Sequence, residues 1–182
     1  VVTTTNSGGG CRSDDTVKVV ASFIDTSLQL MGKDAFCFGH GDSAVLKVQS
    51  TNKIEWFRDT VAIDGNSGKT IYKVNRSGTY FAILSNELGC IITTKKIPVT
   101  IDFDQPGINY PLKYAVENFP LQLAARNIAP TATWIPTVNL IEPESFNPVF
   151  LGNREQLYHI KLTSKGGCIT TDTQLVKTVP HV

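Results

Sequence analysis

The chain is poor in charged residues and has almost no surplus of either sign. Its 182 residues include 17 Lys and Arg against 16 Asp and Glu, a formal net charge of +1, and no run of Lys or Arg exceeds two residues. Proteins that bind nucleic acid or anionic membranes concentrate positive charge on one surface. The composition therefore predicts no nucleic-acid partner.

Long apolar segments are also missing. No apolar run approaches the roughly 18 residues needed to cross a bilayer. The opening Val-Val-Thr-Thr-Thr is not a basic segment followed by an apolar one. We expect no membrane insertion, and we expect any export signal to lie in an upstream part of the polypeptide.

Motifs for catalysis and metal binding are absent. The sequence has no Gly-rich phosphate loop, no paired-carboxylate motif and no Cys-x-x-Cys pair. His40, His159 and His181 are scattered over a predicted loop, a strand and the tail, and nothing in their spacing places one beside a nucleophile. We expect no enzymatic activity, no catalytic residue and no cofactor.

Methionine occurs once and helical periodicity is missing, whereas Thr and Val are abundant and turn residues separate short apolar stretches. In one stretch Ala44, Leu46 and Val48 occupy every second position, which is the period of a half-buried strand. The sequence predicts an all-β fold of antiparallel β-sandwiches.

An internal repeat divides the chain. Three Gly-Cys pairs follow one another at intervals of 79 and 78 residues, and a Trp and a Tyr recur with the same shift of 78. These residues are Gly10-Cys11, Gly89-Cys90, Gly167-Cys168, Trp56 with Trp134, and Tyr80 with Tyr158.

The repeat predicts three segments. Residues 1–21 are expected to be the C-terminal strand or strands of a preceding repeat, followed by a first unit at 22–102 and a second unit at 103–182. The linkers, around 21–26 and 102–107, are short, so the units should lie nearly end to end.

The first unit resembles an immunoglobulin-like domain. Gly41-Asp42-Ser43 precedes the alternating strand, Trp56 has the place of the core tryptophan, and Ser77-Gly78-Thr79-Tyr80 is similar to the tyrosine corner of that fold. Val48 and Ala82 stand where an intersheet disulfide would be expected. Apolar packing must replace that bond.

The second unit resembles a PKD-like repeat. Its Trp134-Ile135-Pro136, Asn147-Pro148-Val149 and Tyr158-His159-Ile160 carry the resemblance. Alternating Ig-like and PKD-like units are similar to large cell-surface proteins of Bacteroidota, among them gliding-motility adhesins and other substrates of type IX secretion. The resemblance implies an extracellular, surface-attached protein.

An exported protein permits disulfides, so Cys37 and Cys90, which share the first unit, are the candidate pair. A simple Ig topology puts them near opposite ends of the sandwich, roughly 20 Å apart, unless the segment before the alternating strand takes an unusual path. Cys11 and Cys168 have no partner in their own units. They are expected to be free thiols, with an intermolecular link as the alternative.

Asp102 and Asp104, at the boundary between the units, are a candidate calcium site. Calcium prefers several oxygen ligands around a turn. Two carboxylates do not complete its coordination shell, so the alternative is a pair of solvated linker charges.

Trp56, Tyr80, Trp134 and Tyr158 are expected to be core anchors, because their equivalent positions in both units suit one large buried group per sandwich. The alternative for the tryptophans is a sugar-stacking platform. Further aromatic residues expected to be exposed are Phe57, Tyr72, Tyr110 and Tyr114.

These features favour a structural spacer or stalk in a large secreted adhesin, with neighbouring repeats of the same polypeptide as partners. One alternative is a carbohydrate-binding module that contacts a surface polysaccharide. Another is a fibre subunit in which residues 11–21, with a strand from 15 to 21, complete a sheet in an identical chain.

Overall fold

The computed structural model describes residues 2–5, 12–15, 23–49 and 53–181. All regular elements in these ranges are β-strands, as the alternation and composition predict. No helix that could cross a membrane occurs in the described part of the chain. Cys11 and residues 16–22 lie outside the described residues, and so does most of the expected donor strand.

The N-terminal strands are β1 (Val2–Thr5) and β2 (Arg12–Asp15). They pair antiparallel, with Thr5 opposite Arg12. One edge of Arg12–Asp15 is therefore paired within the chain. Except for Asp15, the strand expected from 15 to 21 lies outside the described residues, so its donation to an identical chain stays a prediction.

The strands of the first unit are β3 (Leu28–Gly32), β4 (Ala35–Cys37), β5 (Ala44–Val48), β6 (Lys53–Arg58), β7 (Val61–Ala62), β8 (Ile71–Lys73), β9 (Gly78–Ser85), β10 (Ile91–Thr93) and β11 (Ile97–Asp102). One sheet has the order β3-β5-β8, and the other has the order β4-β11-β9-β6-β7 with β10 also paired to β9. Alternate residues of both sheets enter a single core that includes Leu46, Trp56 and Tyr80.

The strands of the second unit are β12 (Lys113–Val116), β13 (Leu121–Gln122), β14 (Thr131–Ile135), β15 (Leu140–Ile141), β16 (Val149–Phe150), β17 (Gln156–Thr163) and β18 (Ile169–Val179). They form the sheets β12-β18-β17-β14 and β13-β16-β15. A separate core, which includes Trp134, Phe150 and Tyr158, lies between these sheets.

The two units bury their anchors in the same way. Trp56, Tyr80, Trp134 and Tyr158 are at most 1% exposed. The Tyr80 hydroxyl donates to the Arg76 carbonyl at 2.6 Å and the Tyr158 hydroxyl to the Val138 carbonyl at 2.7 Å. Both indole N–H groups also donate to backbone carbonyls, so each anchor has its polar atom satisfied.

Each complete unit contains a Gly-Cys pair in a hairpin turn. Gly89 and Gly167 have φ of 80° and 88°, the left-handed conformation that favours glycine. In the turns, Asn86 N–H donates to the Cys90 carbonyl and Ser164 N–H to the Cys168 carbonyl, at 3.1 and 2.9 Å. The repeated Gly-Cys pair therefore marks the turn before the last part of each sandwich.

Candidate functional site

A disulfide joins the two units. Cys37, at the end of β4, is bonded to Cys168, in the turn before β18, with 5.0 Å between their Cα atoms. Cys90 is an exposed free thiol. The predicted Cys37–Cys90 pair and the predicted free thiol at Cys168 are both wrong.

Strand pairing explains why Cys37 does not reach Cys90. Strand β4 runs parallel to β11, with Cys37 opposite Asp102 at the end where the chain leaves the first unit. Cys90 lies beyond the other end of the same sheet, where Ile91 pairs with Ser85. About ten residue steps along the sheet separate the two cysteines, or about 30 Å, which no disulfide spans.

Gly166 brings the turn of the second unit against the end of the first. Its N–H donates to Asp102 Oδ2 at 2.6 Å. A Cβ at this position would lie 2.5 Å from the Phe36 carbonyl oxygen, so a side chain would displace the turn. Glycine is required here for close approach, which the sequence pattern Lys165-Gly166-Gly167 did not reveal.

The predicted calcium ligands Asp102 and Asp104 have protein partners. Asp102 accepts from Gly166, as above, and Asp104 Oδ2 lies 2.9 Å from His40 Nε2. Asp104 Oδ1 is 3.4 Å from Cys37 Sγ, a contact rather than a hydrogen bond because the disulfide sulfur carries no proton. The potential metal-ligand atoms of Cys37, Asp104 and Cys168 lie within 4.8 Å of one another. Both sulfur atoms are in the disulfide, so neither is available as a thiolate ligand. The calcium site stays a prediction.

A buried ion pair holds the start of the second unit. Arg126 Nε and Nη2 donate to Asp172 Oδ2 and Oδ1 at 2.9 and 2.7 Å, and Asp172 is completely buried. The same carboxylate accepts from Ile108 N–H, and Arg126 also donates to the Pro106 carbonyl. The hydrogen bond to Asp172 raises the pKa of the Arg126 guanidinium.

This pair ties the linker to the middle of β18. Gly107 lies so close to β18 that a Cβ on it would lie 2.0 Å from the Thr171 carbonyl oxygen. The segment from Pro106 to Ile108 is therefore held by Arg126 and by the part of β18 that contains Asp172. We call the boundary between the units, from Asp102 to Ile108 with Cys37 and the turn at Gly166, the joint. The disulfide, the Gly166 contact and the fixed Pro106–Ile108 segment leave it few free torsions.

The first unit also has a concave region between the edges of its two sheets. A cavity of about 510 Å³ is lined by Arg58, Lys73 and Arg76 on one side and by Asp64 and other residues of the β7–β8 connection. None of the three cations forms an ion pair within the described residues. The lining therefore carries an excess of positive charge.

The remaining aromatic candidates do not form one surface. Tyr72 is buried, against the expectation, because it packs between Trp56 and Tyr80. Phe57 stacks on Phe81 with 5.2 Å between ring centroids. The hydroxyl of Tyr110 accepts from Arg126 N–H, whereas Tyr114 is 62% exposed on β12. The histidines are also dispersed: His40 lies at the joint, His159 on β17 and His181 against Phe119.

The joint could have been suspected from one feature of the sequence. The Gly-Cys pair recurs in every repeat, but Cys37 has no counterpart in the second unit. By the pairing of β12 with β18, Val116 stands opposite Val179 as Cys37 stands opposite Asp102. A cysteine outside the repeat pattern is free to serve the boundary between units.

No protein-family model and no curated protein matches the sequence. Among solved structures, immunoglobulin domains 1–4 of Sidekick-1 match with a TM-score of 0.49 and 15% identity, over 81% of this chain and 45% of that one. The N-terminal four Ig domains of Dscam1 isoform 1.9 match with 0.44 and 12%, over 76% and 41%. The fibronectin(III)-like modules of Clostridium thermocellum CbhA match with 0.34 and 12%, over 85% and 95%. The chain spans less than half the length of the first two structures.

Proposed function

We propose that this chain is a stiff spacer segment in a secreted, surface-attached protein built of repeated β-sandwich units. The observation that carries the proposal is the joint. A disulfide, a short hydrogen bond to a carboxylate and a glycine in close contact hold one unit against the next. These contacts restrict bending between the two units, which is the property that a spacer requires.

Strand topology supports an elongated arrangement. In the second unit the joint lies at the start of β18, and the chain leaves after β18 has run 11 residues to Val179. Eleven residues of extended strand span about 36 Å. Entry and exit are therefore separated by the length of the unit, so successive units extend the molecule.

The disulfide also supports an extracellular location, because such bonds persist in oxidising compartments. We further propose that the parent protein is an adhesin of the Bacteroidota type, exported by type IX secretion, in which Ig-like and PKD-like units alternate. In this proposal the segment is not an enzyme and needs no cofactor. Its partners are the neighbouring units.

Small-angle scattering of the oxidised chain tests the spacer. We expect an elongated particle whose maximum dimension changes little with ionic strength. Cys168→Ser should broaden the distribution of interatomic distances by loosening the joint, whereas Cys90→Ser, which removes the exposed thiol, should leave it unchanged. A compact particle in the oxidised wild type would refute the proposal.

The cavity in the first unit favours a second candidate function, binding of an acidic polysaccharide. Arg58, Lys73 and Arg76 would contact its carboxylates, in a space of about 510 Å³ that is within the usual range for ligand sites. Retention on immobilised polygalacturonate, compared with neutral dextran, tests this. The double variant Lys73→Glu/Arg76→Glu should abolish retention and Lys161→Glu, in the second unit, should not. Equal retention of both variants would reject the site.

A further inference from the structure

The disulfide connects the end of β4, the second strand of the first unit, to the turn before β18, the last strand of the second unit. Its cysteines are 131 positions apart, with Cys37 near the beginning of the first unit and Cys168 near the end of the second. A force applied at the two chain ends meets Cys37 and Cys168 before it meets the residues between them. We propose that this bond is a covalent load path that carries tension past both sandwich cores and limits how far the chain can be stretched.

Among the described residues of the first unit, the load path contains the strands β3 and β4. Strand β3 pairs with β5, and a link of two residues leads to β4, which pairs with β11. Phe36, beside Cys37, is buried in the core. Tension that reaches Cys37 continues through the sulfur atoms, not through Phe38.

In the second unit the load path is a single strand. From Cys168 the chain enters β18, which runs the length of the unit and is paired with β17 on one side and β12 on the other. A strand is already close to full extension, at about 3.3 Å per residue. Pulling along β18 therefore gains little length even if its neighbours are lost.

Everything between Cys37 and Cys168 is removed from the path. That segment includes β5 to β17, and with them both tryptophan anchors and most of both cores. Without the disulfide, unfolding would release 131 residue steps, about 450 Å of contour length at about 3.4 Å each. With it, none of this length is released, because the ends of the segment stay bonded.

The disulfide is shielded from reduction. Cys37 and Cys168 are each 3% exposed, so a soluble reductant has little access to the sulfur atoms while the joint is closed. Cys90, which is exposed, lies inside the bypassed segment and takes no part. The inference rests on the proposed spacer function, since only a segment under tension needs such a path.

Single-molecule stretching of the full chain, held at its first and last residues, tests the load path. The oxidised wild type should lack the release of about 450 Å, and Cys168→Ser should show it. Cys90→Ser is the matched control and should behave as the wild type. If Cys168→Ser does not fold, stretching the oxidised wild type with and without dithiothreitol present while the chain is under tension, which opens the joint, makes the same comparison.

The released length distinguishes the possible results. Full release in the oxidised wild type would overturn the load path. The load path would also be overturned if the disulfide protected only about 180 Å of contour length from release, because that length corresponds to the 53 positions between Cys37 and Cys90. The spacer function is tested separately, because a compact particle in scattering would refute it. That result would not change the contour length of about 450 Å that the disulfide protects from release.

Discussion

The amide of Gly166 donates a 2.6 Å hydrogen bond to the carboxylate of Asp102 across the boundary between the two sandwiches. A hydrogen bond to an ionised acceptor is stronger than one between neutral groups. Since Asp102 closes β11 and Gly166 lies in the turn before β18, the contact joins the last strand of one unit to the last hairpin of the next. It holds the two cysteines in position for their bond.

Gly166→Ala should disturb the joint. The new Cβ would lie 2.5 Å from the Phe36 carbonyl oxygen, too close for any real contact, so the turn must move. We expect a loss of about 1–3 kcal/mol in the stability of the joint and a slower formation of the disulfide. Lys165→Ala, in the same turn but exposed, is the control. Oxidative refolding followed by alkylation and mass spectrometry measures the rate, and equal rates would contradict the steric argument.

Thiol labelling should identify the disulfide pair. In a Cys11→Ser background, an alkylating reagent should modify only Cys90 in the native oxidised chain, because that thiol is exposed. Cys37 and Cys168 should react only after reduction and unfolding. Peptide mapping checks the result. Modification of Cys168 in the native oxidised chain would instead support the Cys37–Cys90 pair that the sequence predicts.

Removal of the disulfide should lower the stability of the oxidised chain. For a loop closed over 131 positions the chain-entropy relation gives about 5 kcal/mol, an upper value when two units unfold separately. We expect Cys37→Ser and Cys168→Ser to lower the unfolding midpoint in urea equally, and reduced wild type to match them. Cys90→Ser should not change it. Unequal effects of the two substitutions would indicate a role for one cysteine outside the bond.

Asp172→Ala should destabilise the second unit. The substitution removes the acceptors of Arg126 and Ile108 N–H from a fully buried position. Breaking a buried pair by deleting one partner costs about 3–5 kcal/mol, and we expect about 3 because Arg126 is partly exposed. Lys177→Ala, on the same strand, breaks the exposed pair with Glu155 and should cost under about 1 kcal/mol. Chemical denaturation separates these values.

The second unit should lose stability in strong alkali. Burial raises the pKa of Tyr158 from 10.0 to about 12, so folding favours its protonated form. The contribution is complete below pH 10.0 and is lost as the pH rises from there to about 12. Tyr158→Phe should flatten this decline at the expense of the hydrogen bond to Val138. Denaturation midpoints across that window check it, and an unchanged slope in the variant would assign the decline to other groups.

Much of the fold could be predicted from local pattern. Ala44, Leu46 and Val48 are buried in β5, because a strand places alternate side chains on one face. The tryptophan and tyrosine anchors were identified by their recurrence, since each sandwich needs one large group at its centre. The exposure of Tyr72 was predicted wrongly, because its burial depends on packing between Trp56 and Tyr80, which lie on another sheet.

Strand period, turn residues and buried anchors are properties of short segments, so local sequence is enough to predict a chain of repeated β-sandwiches. The partner of Cys37, by contrast, is set by how the two folded units meet. That choice depends on the parallel placement of β4 beside β11 and on the approach of Gly166 to the end of the first unit. Neither can be inferred from spacing, because cysteines 131 positions apart meet only once both units are folded and docked.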